Sequence, residues 1–167
     1  MSFDIEIEGI PDEKKLSRQL KKPFREAVRG ALQVVGDTWT RDIAPKHFTK
    51  QGKKEYDYQP RTRKYVFRKI REYARGKKGG AIEPATPLVY TGRTRNRVLT
   101  MTKFRPVKDR ESAVQVARGT INAPALNFRR SGKSPNMREE VTAISTADTE
   151  VLRGVFVREF NVRFTKR

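Results

Sequence analysis

Few residues in this chain have the types and spacing that chemistry requires. The single histidine, His47, stands between Lys46 and Phe48. It offers a Ser-His-Asp arrangement one candidate base, with no recognisable nucleophile and orienting acid around it, so a packing or hydrogen-bonding role is expected. The chain has no cysteine, which excludes thiolate zinc sites, disulfides and cysteine nucleophiles, and one histidine excludes a multi-histidine metal site. Asp12, Glu13 and Lys14 have the residue types of an acid-acid-lysine nuclease motif. Such a motif brings its first acid from a separate strand; here the residues are adjacent at a predicted helix start, where acids complement the helix dipole. Asp37, Asp42, Glu55 and Asp57 are interspersed with Arg41, Lys53 and Lys54 and read as salt-bridged surface. Residues 76–80, GKKGG, lack the glycine spacing and the Lys-Ser/Thr of a phosphate loop and read as a flexible tip or linker. No catalytic, cofactor-binding or metal-ligating residue is expected, and the chain reads as a non-enzyme.

Charge is the stronger signal. The 167 residues carry 38 bases against 19 acids, a formal +19. An excess of that size predicts a polyanionic partner, an acidic protein partner, or both. Residues 41–80 hold fourteen bases against four acids, more than half of the excess in a quarter of the length. Arg61, Arg63, Lys64, Arg68, Lys69 and Arg71 lie there. A second group, Arg93, Arg95 and Arg97, alternates in a way that places all three on one face of a strand. A third, Arg129 and Arg130 with Lys133, falls in a Gly/Ser-containing loop. Together these residues form the expected basic surface, facing a partner or DNA. Tyr56, Tyr58, Tyr65, Phe67 and Tyr73 are interleaved with the bases. Either the rings stack on nucleic-acid bases, or they belong to the core and the cations form a solvated or partner-facing surface.

The elements that must position these groups follow from periodicity. Phe3, Ile5 and Ile7 alternate with Asp4, Glu6 and Glu8, the period of a half-buried strand, which Gly9 and Pro11 end. Leu16, Leu20, Phe24, Val28, Leu32, Val35 and Trp39 recur at helical spacing, with Pro23 expected to kink the helix or to start a second one and Pro45 to stop it after Ile43. Trp39 is the expected anchor of this helix against the sheet, with Phe24, Val28, Leu32, Val35, Leu152, Val155 and Phe156 in the core. Residues 44–60 read as an ordered loop or extended arm, with a short strand at Tyr56–Tyr58. Residues 61–75 read as a helix with Tyr65, Lys69, Ile70 and Tyr73 near one face. Residues 88–106 and 113–117 have strand composition, and residues 108–112 suit a hairpin connection. Residues 119–135 read as loop and 141–144 as a last short strand. Ser145 and Asp148 make a capping-box pattern that opens a final helix. Strands clustered between helices predict an α+β fold: a mostly antiparallel sheet flanked by a long N-terminal and a C-terminal helix. One domain over 1–167 is expected, with a basic arm at about 44–86 and a loop at about 119–136. Hydrophobic residues make up 35% and charged residues 34%, so the core is lean. No apolar run approaches the roughly 20 residues a bilayer span needs, and the acidic, alternating start is unlike a signal peptide. A reducing, non-secreted setting without membrane association is expected.

Residues 87–99, PLVYTGRTRNRVL, bring the chain to a familiar pattern. A Pro-Leu, a short spacer, then Thr-Gly and a basic residue resembles the tail-completion and neck proteins of long-tailed bacteriophages, within the wider group of head-tail joining and minor tail proteins. Pro87, Leu88, Thr91 and Gly92 carry the resemblance. Trp39, Pro45, His47-Phe48, Tyr58, Arg61 and Tyr65 precede the string in order, and residues 137–141, MREEV, lead into the last helix. Arg93-Thr94-Arg95 stand where the family has a small residue or leucine after the glycine. The resemblance implies a structural virion protein without catalysis. It implies self-assembly as a ring, expected as a hexamer, at the head-proximal end of the tail, in contact with connector, tail-terminator or tail-tube proteins. Double-stranded DNA would pass through it transiently. Such a chain would reside in the virion neck or tail after assembly in the host cytoplasm. Gly92 is expected to supply a backbone angle that other residues avoid.

A conduit that grips DNA would brake its transit, because every phosphate neutralised strengthens binding through counterion release. Most of the positive charge is therefore expected to face acidic neighbouring proteins. Arg61, Arg63, Lys64 and Arg68 lining an open channel would refute that expectation. The alternative function is a non-enzymatic, ribosome-associated-like nucleic-acid-binding protein.

Overall fold

The computed structural model describes residues 2–7, 16–74, 88, 93–108, 115–121 and 136–165. The elements are β1 (Ser2–Ile5), α1 (Arg18–Thr38), a π-helical turn (Trp39–Ile43), a 3₁₀ turn (Lys46–Phe48), α2 (Lys50–Glu55), α3 (Arg63–Ala74), α4 (Arg93–Met101), β2 (Lys103–Lys108), β3 (Gln115–Thr120), α5 (Met137–Thr142) and α6 (Thr146–Thr165). The mixture of helices with one three-stranded antiparallel sheet is the α+β class expected. These elements fall into two compact units, one of residues 2–40, 103–120 and 146–167, the other of 41–102 and 121–145.

The first unit is built on α1. The sheet order is β1-β3-β2, with Asp4 opposite Arg118 and Arg105 opposite Arg118 across the central strand. The alternation of β1 is observed: Ile5 and Ile7 are buried while Asp4 and Glu6 are exposed. Arg118 forks onto Asp4, with Nε–Oδ1 at 2.7 Å and Nη2–Oδ2 at 2.6 Å. Pro106, which has no N–H for a ladder, sits on an edge strand, where that loss is tolerated. Trp39 is fully buried and anchors the end of α1 against the sheet, as expected. Its ring lies 4.8 Å from that of Phe3 and 5.6 Å from that of Phe104. Two glycines make room for this cluster. A Cβ on Gly119 would come within 2.5 Å of Phe3 and 2.8 Å of Phe104, and a Cβ on Gly36 would run into the Phe104 ring. Toward its start, α1 meets α6 through Phe24, which is edge-on to Phe160 at 5.6 Å and to Phe164 at 6.2 Å. The helix continues through Pro23. The missing N–H falls near the helix start, so one early bond is lost and the apolar stripe behind it holds the helix together.

The second unit contains no strand among the described residues. Thr49 caps α2 by accepting from the Gly52 N–H at 3.0 Å. The expected strand at Tyr56–Tyr58 is absent: the chain turns there, with Asp57 at φ 45°. Where a strand is expected from residue 88 onward, Arg93–Met101 form a helix, and among the described residues of that stretch strand structure starts at Lys103. Thr100 and Thr102 donate their hydroxyls back to the Asn96 and Val98 carbonyls at 2.8 and 2.5 Å, so β-branched residues are accommodated in helical geometry. The short strand expected over 141–144 is also absent; Val141 lies in the last turn of α5, whose first turn is capped by the Asn136 side chain. Between these, β3 continues to Thr120 into the stretch read as loop.

Candidate functional site

Two members of the expected basic surface, Arg61 and Lys69, are drawn inward. Arg61 is engaged internally. Its guanidinium forks onto the Glu140 carboxylate of α5, with Nη1 2.8 Å from Oε1 and Nη2 in close contact with Oε2. The Gln59 N–H donates to the same Oε1 at 3.2 Å. Only 18% of the Arg61 side chain and 8% of that of Glu140 is exposed. Arg61 is therefore a clasp between the segment before α3 and the short α5, and not the surface cation expected. Lys69 also departs from expectation, being 4% exposed. Burial holds its ammonium below the usual lysine range, and the Arg61 charge adds to the shift.

Behind the clasp is an aromatic stack. His47 is fully buried, its ring 3.9 Å from that of Tyr56 and nearly parallel to it. Its Nδ1 lies 2.5 Å from the Tyr58 hydroxyl, and that hydroxyl also donates to the His47 carbonyl at 3.3 Å. Burial, with the nearby Glu140 carboxylate, pushes the Tyr58 phenol well above its ordinary value. Tyr56 and Tyr58, for which base stacking stood open, thus pack inward together with His47. The acids Asp42 and Glu55 form ion pairs with Arg41 at 2.7 Å and Lys46 at 3.9 Å, and no group of acids and histidine suited to a metal occurs among the described residues.

What remains outside is α3, and its polarity is inverted. Tyr65, Lys69 and Glu72, at helical spacing, are the partly or fully buried residues among its described side chains, which leave out Tyr73. Val66, Phe67 and Ile70, on the opposite side, are 39%, 68% and 45% exposed. A surface helix ordinarily turns its apolar stripe to the core. Ile70, expected beside Lys69, faces out. Arg63, Lys64, Arg68 and Arg71 are exposed around the apolar strip, and the Arg68 guanidinium sits over the Tyr65 ring at 5.9 Å. Arg95 and Arg97 are exposed on α4. Two positions are about 200° apart around a helix, so Arg95 and Arg97 do not share the face that a strand would give. The side chain of Arg93, and Arg129, Arg130, Pro87, Thr91 and Gly92, lie outside the described residues. Leu88 is buried and holds a left-handed backbone, at φ 57°, a conformation that L side chains adopt at a cost.

A second uncovered apolar surface lies on α6, in the other unit. Asp148, Leu152 and Phe156 are buried along one stripe, while Val151, Val157 and Val162 are 49%, 48% and 43% exposed. These three valines are thus uncovered, among the exposed Glu150, Arg153, Arg158 and Arg163. No helix among the described residues is long and apolar enough to cross a membrane. Comparison of the chain with protein-family models, with curated protein sequences and with solved structures gives no match.

Proposed function

We propose that this chain is a structural virion protein of a tailed phage. Copies assemble into a ring, expected as a hexamer, at the head-proximal end of the tail, which joins tail to connector and lets double-stranded DNA pass. The observation that carries the reading is α6, which leaves Val151, Val157 and Val162 exposed outside its one buried stripe. Exposed valines on a helix of a strongly charged chain are surface that a neighbouring copy can cover. The phage context rests on the resemblance of residues 87–99, whose Leu88 is buried with a left-handed backbone. No step of this role needs a catalytic residue or a cofactor. The test is a double substitution, Val151→Asp with Val162→Asp, at two exposed positions. It is expected to turn rings into single chains in sedimentation while leaving the helical circular dichroism unchanged. Unchanged sedimentation of the variant would refute α6 as the self-contact.

Phe67, 68% exposed among Lys64, Arg68 and Arg71, favours a second reading, a nucleic-acid-binding protein in which the ring stacks on a base. Tight, steeply salt-dependent binding of short RNA by a single chain would support it over the ring.

A further inference from the structure

We infer that the outer face of α3 is a docking site for an acidic, apolar-centred protein surface, with Phe67 as its central plug. The inference deepens the proposed function, since it rests on the reading that the chain works by assembly and names the chemistry of one non-identical neighbour. Val66, Phe67 and Ile70 form a continuous strip at spacings of three and four, and Phe67 is the most exposed large apolar side chain of the described residues. Arg63 and Lys64 lie beside its start and Arg71 beside its end. This is the anatomy of an interface: an aromatic centre with a charged rim.

Three kinds of occupant are separated by the same residues. A second copy of α3 would bring two sets of exposed cations together on chains of formal charge +19, and like charges at that range repel. Duplex DNA would satisfy the cations but leave a phosphate backbone against Val66, Phe67 and Ile70, with no apolar groove to fill. A protein surface with a pocket for Phe67 and carboxylates around it satisfies both the strip and the rim, and charge complementarity selects it. The buried side of α3 gives the strip a fixed position, because Lys69 and its neighbours Tyr65 and Glu72 are turned inward.

The test uses the full chain and two labelled helical peptides of equal negative charge, one with leucines bordered by glutamates and one with those leucines replaced by serines. Binding is read by fluorescence anisotropy, with a short DNA duplex and phosphatidylserine-containing vesicles as further probes. The leucine peptide is expected to bind the chain more tightly than the serine peptide, and Phe67→Ser to weaken it at least about tenfold, the scale of losing a buried aromatic side chain. Lys64→Glu with Arg71→Glu is expected to weaken it as well. Thermal unfolding controls for folding, and exposed positions are expected to leave it unchanged. Equal binding of both peptides, or no effect of Phe67→Ser, overturns the inference. So does binding of the duplex or vesicles that Phe67→Ser abolishes while the leucine peptide is indifferent to it. Sedimentation of the same variants separates the two claims. If rings persist while the leucine peptide fails to bind, only the docking site falls; if the peptide binds a chain that is always single, only the ring falls.

Discussion

Replacing Glu140 by alanine probes the clasp that removes Arg61 from the surface. Glu140 receives two guanidinium hydrogen bonds, one of 2.8 Å, and a third from the Gln59 N–H at 3.2 Å. Its side chain is 8% exposed and that of Arg61 18%. Without the carboxylate, a largely desolvated cation loses two hydrogen bonds, while its Nη1 keeps the Gln59 carbonyl at 2.9 Å, and one backbone donor loses its acceptor. Breaking a fully buried pair in this way costs about 3–5 kcal/mol. The remaining access of Arg61 to water lowers the expected cost here to about 2–3 kcal/mol. Replacing both partners, Arg61→Met with Glu140→Met, leaves no orphaned charge and is expected to lie within about 1 kcal/mol of the parent, since the net worth of a buried pair against apolar groups is small. Urea unfolding followed by circular dichroism compares the parent, Glu140→Ala and the methionine pair. A loss below about 0.5 kcal/mol for Glu140→Ala, or a double variant as unstable as the single one, would refute the clasp.

Further outcomes follow from the packing and the titrations. Burial raises the Tyr58 phenol above its ordinary value near 10, so the folded chain keeps a proton that the unfolded chain releases, and stability falls as pH rises past about 10. Tyr58→Phe is expected to make that alkaline fall shallower in urea titrations at pH 9 to 11, at a cost of about 1 kcal/mol at neutral pH for the lost hydrogen bonds. Gly36→Ala gains about 1 kcal/mol of helix propensity yet drives a methyl group into the Phe104 ring. Overpacking of about 1–3 kcal/mol or more is expected to win, seen as a lowered thermal midpoint, and a raised midpoint would contradict the packing described.

The sequence made some of this architecture legible and hid other parts for identifiable reasons. The long apolar stripe of α1, the alternation of β1 and the role of Trp39 could be read because each is carried by a local period. α4 was hidden because Arg93, Arg95 and Arg97 alternate and Val98, Thr100 and Thr102 favour strands, while the hydroxyl bonds back to the helix that offset this preference depend on geometry. α5 was hidden because six residues are too few to show a helical period, and its Asn136 cap is a single side chain. The fate of the basic residues was the least legible part. Arg61 and Glu140 are separated by 79 positions, and nothing local distinguishes Arg61 from Arg63. The inversion of α3 was likewise invisible, since a period identifies a stripe but not whether it turns in or out. The exposure of Val66, Phe67 and Ile70, rather than the count of cations, is what the structure adds to the candidate site.

The central claim is that the chain works by assembling with copies of itself. Sedimentation of the purified full-length chain tests it most directly. The account predicts a closed species of defined mass, expected at six times the 19.3 kDa chain, which the Val151→Asp and Val162→Asp pair disperses. A single chain at high micromolar concentration, alone and in the presence of phage tails, would contradict it.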